Sequence, residues 1–462
     1  MNAQSTFTAV LATGFILACI VFDLRRGLYR LLSPRTAVLI SVIYWYMLEA
    51  LRLPKDLASY TQLEYDFGML CVVIATCAFL AAFHGIHVPL FAPFTRLMRM
   101  LEQPKMLWML VASGATIGFG SILLYTRFDV AELFEGLTGM RPRWSGSLGR
   151  GRYGSWSTIV YELQVFLPAV VPLAISLAFM KRAPTRYRWF CALFVVWIFL
   201  KSFFSGTRSI VLPIALPLAA AIFWNATPRL RRALIVVGIP FGLVGGYFWS
   251  AAVVAGRNEG KLDASVVMNV DFVGVEMYRE LLFVIKAEQH GMSPEYGTTY
   301  FTQLVNPIPR ALWPGKPVAD AGLVMARAHE ALDRFGEPTL TVSPGFLGEA
   351  YLNFGFLGLL IVPAVAGVVV RAWDDLLLVG LRSLPAFLVY AGGVATIFAC
   401  GRSVNFSTFY ALMALFFLMR MVEALGLAGR PTPVPARAYA RPVQPRPLRV
   451  TARTRYEPPI SR

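Results

Sequence analysis

Apolar stretches of membrane-spanning length recur from one end of this 462-residue chain to the other. Backbone N–H and C=O groups inside a bilayer find no water, so such a chain is restricted to helices or a closed barrel. The stretches are continuous in hydropathy rather than alternating, which selects helices. Composition points the same way. Charged residues make up 15% of the chain and hydrophobic ones 57%, whereas soluble domains carry about 25% charged residues. Mean hydropathy is +0.59. The five cysteines, Cys19, Cys71, Cys77, Cys191 and Cys400, all fall in apolar runs. Neither a disulfide framework nor a Cys-x-x-Cys metal knuckle is implied.

The expected fold is all-α: a polytopic integral membrane protein of about eleven transmembrane helices. The runs cover residues 7–22, 36–51, 67–91, 106–125, 159–180, 189–204, 209–224, 233–254, 346–370, 383–400 and 405–422. Met1 to Thr6 carries no positive charge, so the first run reads as a span rather than a signal peptide.

Charge sets the expected orientation. Numbering the connections alternately, one set holds 25 of the 43 Lys and Arg residues but only six of the 26 acids, a net of +19 against −2 for all the rest. The positive-inside rule assigns that set to the cytoplasm. The N-terminus is then outside and the C-terminus inside. The tail from residue 423 is rich in Pro and Arg; it cannot bury apolar surface and suits a disordered segment on anionic head groups. A nucleic-acid partner is not implied, because the charge follows topology instead of forming one basic face.

Two outer connections are long. Residues 126–158 contain Arg127, Arg141, Arg143, Arg150 and Arg152 against Asp129, Glu132 and Glu135. Residues 255–345 are too long for an idle connector. Within them, 272–289 has helical apolar spacing with Glu276, Arg279 and Glu280 on its polar side, and 323–335 reads as a second helix. Together they suggest a small helical cap lying on or dipping into the outer face. Between these helices runs NPIPRALWPGKP, residues 306–317. Its prolines stiffen the backbone, so Arg310 and Lys316 stand either on a solvated loop or on a rigid anion clamp.

The turn SGTRS (205–209) places Arg208 between two runs of sixteen residues. Each spans about 24 Å against a hydrocarbon layer of about 30 Å, which predicts a recessed turn. CGRSVNFS (400–407) repeats the pattern with Arg402. One such arginine is accounted for by snorkelling; two, with Arg310 and Lys316, point to an anion site. Glu349, in GFLGEAYLNFGFLGLL, stands at the outer mouth of an apolar run. It is either an ion-pair partner of Arg208 or Arg402, or a general base. His84 and His87 share a face at the other end and lack a third metal ligand. His290 and His329 lie in the large outer loop, as solvated side chains or as bases.

The SGTRS turn, the outer NPIPRALWPGKP loop and GFLGEAYLNFGFLG entering a span, over residues 190–420, resemble the bacterial O-antigen or oligosaccharide repeat-unit polymerases, the Wzy-type family. The resemblance implies a periplasmic-face enzyme of the inner membrane. Such an enzyme transfers a growing glycan from undecaprenyl diphosphate to the next lipid-linked repeat unit, without nucleotide sugar, metal or other cofactor. A flippase and a chain-length regulator are the partners it suggests. On that reading Arg208, Arg310, Lys316, Arg402 and Arg279 hold the donor diphosphate. Glu349 or a loop histidine takes the acceptor proton, with Arg208 and Arg310 stabilising the leaving group. Arg141, Arg143, Arg150 and Arg152 meet a second lipid diphosphate or an acidic sugar. An O-antigen ligase and a lipid-linked oligosaccharide flippase are the alternatives. The chain then divides into helices over 1–254, an outer loop over 255–345, helices over 346–422 and the tail.

Overall fold

The computed structural model describes residues 3–25, 27–52, 57, 59–130, 133, 159–160, 162–204, 208–238, 245, 276–306, 308–310, 312–317, 320–331, 342–403 and 407–426. Among them 81% are helical and no strand occurs, in keeping with the continuous hydropathy. The helices are α1 (Ala3–Leu24), α2 (Pro34–Val42), which runs through a π-helical turn (Ile43–Met47) into α3 (Leu48–Arg52), α4 (Gln62–Gly85), α5 (Ala92–Met100) and α6 (Pro104–Tyr125). After α7 (Leu163–Phe179) come α8 (Thr185–Phe204), α9 (Arg208–Asn225), α10 (Pro228–Ala233), α11 (Met277–Gln289), α12 (Thr298–Val305), α13 (Ala321–Ala328), α14 (Gly345–Asp374), α15 (Leu384–Cys400) and α16 (Ser407–Ala424). Their starts follow capping chemistry. Ser33 caps α2 ahead of Pro34, Thr61 and Glu64 form a reciprocal box on α4, and Ser383 caps α15 ahead of Pro385.

Among the described residues, four helical stretches are long and apolar enough to cross a membrane: Phe7–Leu24, Gln62–Gly85, Pro104–Tyr125 and Gly345–Gly380. Leu163–Phe179, Val211–Asn225 and Leu384–Cys400 are shorter apolar helices. Their outward faces are greasy: Leu11 and Val21 on α1, Leu193 and Val196 on α8, Leu357 and Ile361 on α14, Met413 and Phe417 on α16 are all exposed. Water would disfavour such a surface, and lipid suits it. With no hydrophobic drive between helices in lipid, packing relies on close approach. Gly114 and Gly118, four apart on α6, lie against Val170 and Leu167 of α7 so closely that a Cβ at either would stand 2.5 Å from a side-chain atom.

At one end of the bundle the charged residues are knitted together. Arg35 bonds Asp23 at 2.7 Å and Arg30 bonds Asp374 at 3.2 Å, tying the start of α2 to the ends of α1 and α14. Arg35 and Arg371 both lie over the Phe83 ring at the end of α4. His84 and His87 do not share a helix face: α4 ends at Gly85, Ile86 is extended, and His87 meets Asp375 at 3.2 Å.

The flanks of the 205–209 turn also differ from expectation. α8 has 20 residues and α9 has 18, about 30 and 27 Å at 1.5 Å per residue. The flanking helices are thus longer than the runs, and residues 205–207 between them lie outside the described residues. The residues added to α8, Thr185–Arg188, are polar, which hid them from a reading based on hydropathy. The run at 233–254 lies largely outside the described residues, and the 323–335 helix is described as far as Ala331.

α14 is not one straight rod. Gly355 has φ 58° and ψ −146°, a conformation barred to residues with a Cβ, and it splits the helix. The carbonyls of Leu352 and Asn353, which lose their helical partners there, accept the N–H groups of Glu295 and Tyr296 at 3.0 and 2.8 Å. Gly355→Ala is therefore expected to cost about 1–3 kcal/mol, read as a lower unfolding midpoint in detergent. Gly120→Ala, where the new methyl meets open space, should leave the midpoint unchanged.

Candidate functional site

The first segment of α14 stands at the opposite end of the bundle from the Arg30–Asp374 pair. Its opening donors are already taken. Phe346 N–H donates to the Gly401 carbonyl at 3.3 Å, and Leu347 N–H donates to the Tyr46 hydroxyl at 2.8 Å. Ser343 Oγ donates to the Arg402 carbonyl at 2.9 Å. The start of α14, the π-turn of the second run and the turn after α15 thus form one assembly.

One helical turn on, Glu349 is completely buried. Its Oε1 accepts from Thr299 Oγ1 at 3.1 Å and from Gln303 Nε2 at 2.9 Å, two residues four apart on one face of α12. Asn353 Nδ2 donates to Thr299 Oγ1 at 2.7 Å and to the Glu349 carbonyl at 2.8 Å. Glu349 therefore holds α12 to α14 and is closed off from the surface. Its expected ion pair with Arg402 does not form.

Arg402 lies over the Trp45 ring, 6.0 Å from its centroid. It is half-buried, and burial pushes its guanidinium below its ordinary pKa, with the Tyr44 hydroxyl opposing. Among the described residues no carboxylate pairs with it. A desolvated cation resting on an aromatic face, with its donors uncommitted among the described residues, is suited to a planar or tetrahedral oxyanion.

In the 306–317 loop the two basic residues part company. The prolines remove backbone donors, leaving carbonyls short of partners. Lys316 supplies them: its Nζ donates to the carbonyls of Asn306 and Ile308 at 2.9 and 2.8 Å, and the residue is buried. Burial and then the neighbouring Arg310 charge push its ammonium below the ordinary value. Lys316 is thus a clasp for the loop and not an open clamp. Arg310 reaches the Pro314 carbonyl at 3.4 Å and, among the described residues, has no carboxylate partner.

Arg279 is a correction of another kind. Its Nη2 lies 2.9 Å from Glu276 and 3.1 Å from Glu280, and Glu49 accepts the Tyr278 and Arg279 N–H groups at 2.8 and 3.2 Å. Two carboxylates, Glu276 and Glu280, neutralise the guanidinium, so little charge is left for a diphosphate. Glu280 is itself buried and faces His329, whose Nε2 stands 2.8 Å from Glu280 Oε2 while the ring stacks on Phe283 with centroids 3.8 Å apart. With Nε2–H donating to the carboxylate, Nδ1 carries the lone pair, as in a base oriented by an acid. His290, by contrast, caps the end of α11 through the Lys286 carbonyl.

The backbone of Arg208 opens α9, but its side chain lies outside the described residues, as do Arg141, Arg143, Arg150 and Arg152. Sequence reasoning missed Thr299, Gln303, Asn353 and Glu49. Thr299, Gln303 and Asn353 are neutral and carry no local signal, and Glu49 sits at the end of its run; what marks them is their contacts in space. No protein-family profile, curated protein or solved structure matches this chain.

If Lys316 is a clasp and Arg310 is not, their substitutions part. Lys316→Met should cost about 1–3 kcal/mol by stranding buried carbonyls. Arg310→Ala should stay within about 0.5 kcal/mol. Thermal unfolding of both purified variants checks the difference.

Proposed function

We propose that this chain is a membrane glycosyltransferase of about eleven spans. It joins undecaprenyl-diphosphate-linked oligosaccharide repeat units at the periplasmic face of a bacterial inner membrane, with its C-terminus in the cytoplasm. The observation that carries this reading is Arg402: a half-buried guanidinium on Trp45, without a carboxylate among the described residues, in the turn bonded to the start of α14. A cation kept desolvated and unneutralised suits a lipid diphosphate where it leaves the bilayer. Arg310, equally free of acids among the described residues, is the second contact, and Arg208 in its similar turn is the third.

In the transfer, the bond between the donor's anomeric carbon and the diphosphate oxygen breaks, and the oxygen leaves with the electron pair. A hydroxyl of the acceptor repeat unit forms the new bond to that carbon and gives up its proton. Guanidinium groups stabilise the departing oxygen. Of the groups considered for the proton, His329 is favoured over Glu349, because Glu280 orients it and it retains partial exposure, whereas Glu349 is sealed. Glu349 then positions α12. The arginines of 126–158 remain candidates for the second lipid or an acidic sugar, and a flippase and a chain-length regulator remain candidate partners.

Reconstitution with a purified lipid-linked repeat unit tests this. A ladder of products is expected; a single transfer to a lipid A core would instead mark a ligase, and gradient-driven movement without transfer a flippase. Arg402→Ala should reduce transfer by about 10²-fold or more, and Arg402→Lys should already impair it, since an ammonium cannot make the bidentate contact. His329→Gln should abolish the ladder with the thermal midpoint kept. Full-length ladders from Arg402→Ala would refute the diphosphate role.

A further inference from the structure

α12 is amphipathic in the wrong sense for water. Its inner face carries Thr299, Thr302 and Gln303, with both threonines buried; its outer face carries Phe301 at 48% and Leu304 at 63% exposure. The chain after it continues the outer face through Ile308 and Leu312, at 38% and 65%. In a soluble cap the threonines and the glutamine would face out. The inversion is what a segment bordered by hydrocarbon shows, with Thr299 and Gln303 turned inward to bond Glu349.

The surface does not end with α12. Tyr300 stacks on Phe354 with centroids 6.3 Å apart, and Gly297 lies against the same ring. Below Phe354 the exposed strip runs on through Leu357, Ile361 and Val365 of α14, on a stretch apolar enough to cross a membrane. From the Gly355 break to Asp374 that helix covers about 28 Å, close to the roughly 30 Å of a hydrocarbon core. The break therefore falls at the boundary of the acyl region, and the turn just before α12 is bonded to the break through Glu295 and Tyr296.

We propose that the described residues 296–306, 308–310 and 312–313 are an interfacial membrane element, lying in the headgroup–acyl boundary of the leaflet on Glu349's side with Phe301, Leu304, Ile308 and Leu312 among acyl chains. The occupant of this face is lipid because the face is continuous with the lipid-facing strip of α14. The element also carries Arg310, placed where lipid phosphates lie. It separates the Glu349 cluster from lipid by the thickness of a single helix. The inference needs a membrane-embedded chain but no particular catalytic activity, so its failure would leave the transfer reading standing.

Spin labels at Leu304→Cys, Leu312→Cys and, as an aqueous reference, Gln289→Cys, each in a chain freed of its native cysteines and reconstituted in phosphatidylcholine–phosphatidylglycerol vesicles, test the placement. Labels at 304 and 312 should be more accessible to oxygen than to a water-soluble nickel chelate, and the label at 289 the reverse. A water-accessible label at 304 overturns the proposal. So does a label closed to both reagents whose dipolar broadening vanishes on dilution with unlabelled protein, since a second copy would then cover the face. A photo-crosslinking benzophenone at 304 in the chain with its native cysteines gives an independent reading. An adduct of lipid mass supports the element; a protein adduct alone rejects it.

Discussion

Where α14 breaks at Gly355, two backbone carbonyls lose their helical donors, and in a membrane protein such groups must be satisfied by the protein itself. The chain at Glu295–Tyr296 answers them. That exchange brings the turn before α12 against the break. It places α12 across the upper segment of α14 and so seals Glu349 beneath Thr299 and Gln303. The loop that follows α12 is then held by Lys316, which fixes where Arg310 stands. One glycine conformation organises the candidate site from backbone to guanidinium.

Charge is treated differently at the two ends of the bundle. Near Arg30 and Arg35 the cations are matched with Asp23 and Asp374, and close packing over Phe83 makes that end a fastening. At the other end Arg279 is likewise consumed by acids, while Arg402 and Arg310 lack carboxylates among the described residues. Desolvating a cation without neutralising it is costly unless an anion completes the arrangement. The contrast within one protein is what separates candidate ligand contacts from structural ion pairs, a distinction that residue type cannot make.

The all-helical class followed from uninterrupted hydropathy, and the stretches around 306–317, 345–349 and 400–403 were singled out by odd charges or prolines beside apolar runs. The structure binds the second and third of these directly and approaches the first through α12. The roles changed. Lys316, read as either solvated or a clamp, bonds the carbonyls of its own loop, and Glu349, read as an ion-pair partner or a base, bonds α12. His329, left open in the sequence as a solvated side chain or a base, has Glu280 for a partner, 49 residues away in the chain.

What the sequence determined by itself is the solvent this protein expects and the pattern of charge between apolar runs, because hydropathy and net charge are sums over local residues. What only the tertiary structure decided is which charges are neutralised, which polar groups are buried and which face of α12 is greasy outward. Those properties depend on distances between residues far apart in the chain, and the free energy of a buried charge is set by its neighbours in space, not by its own type.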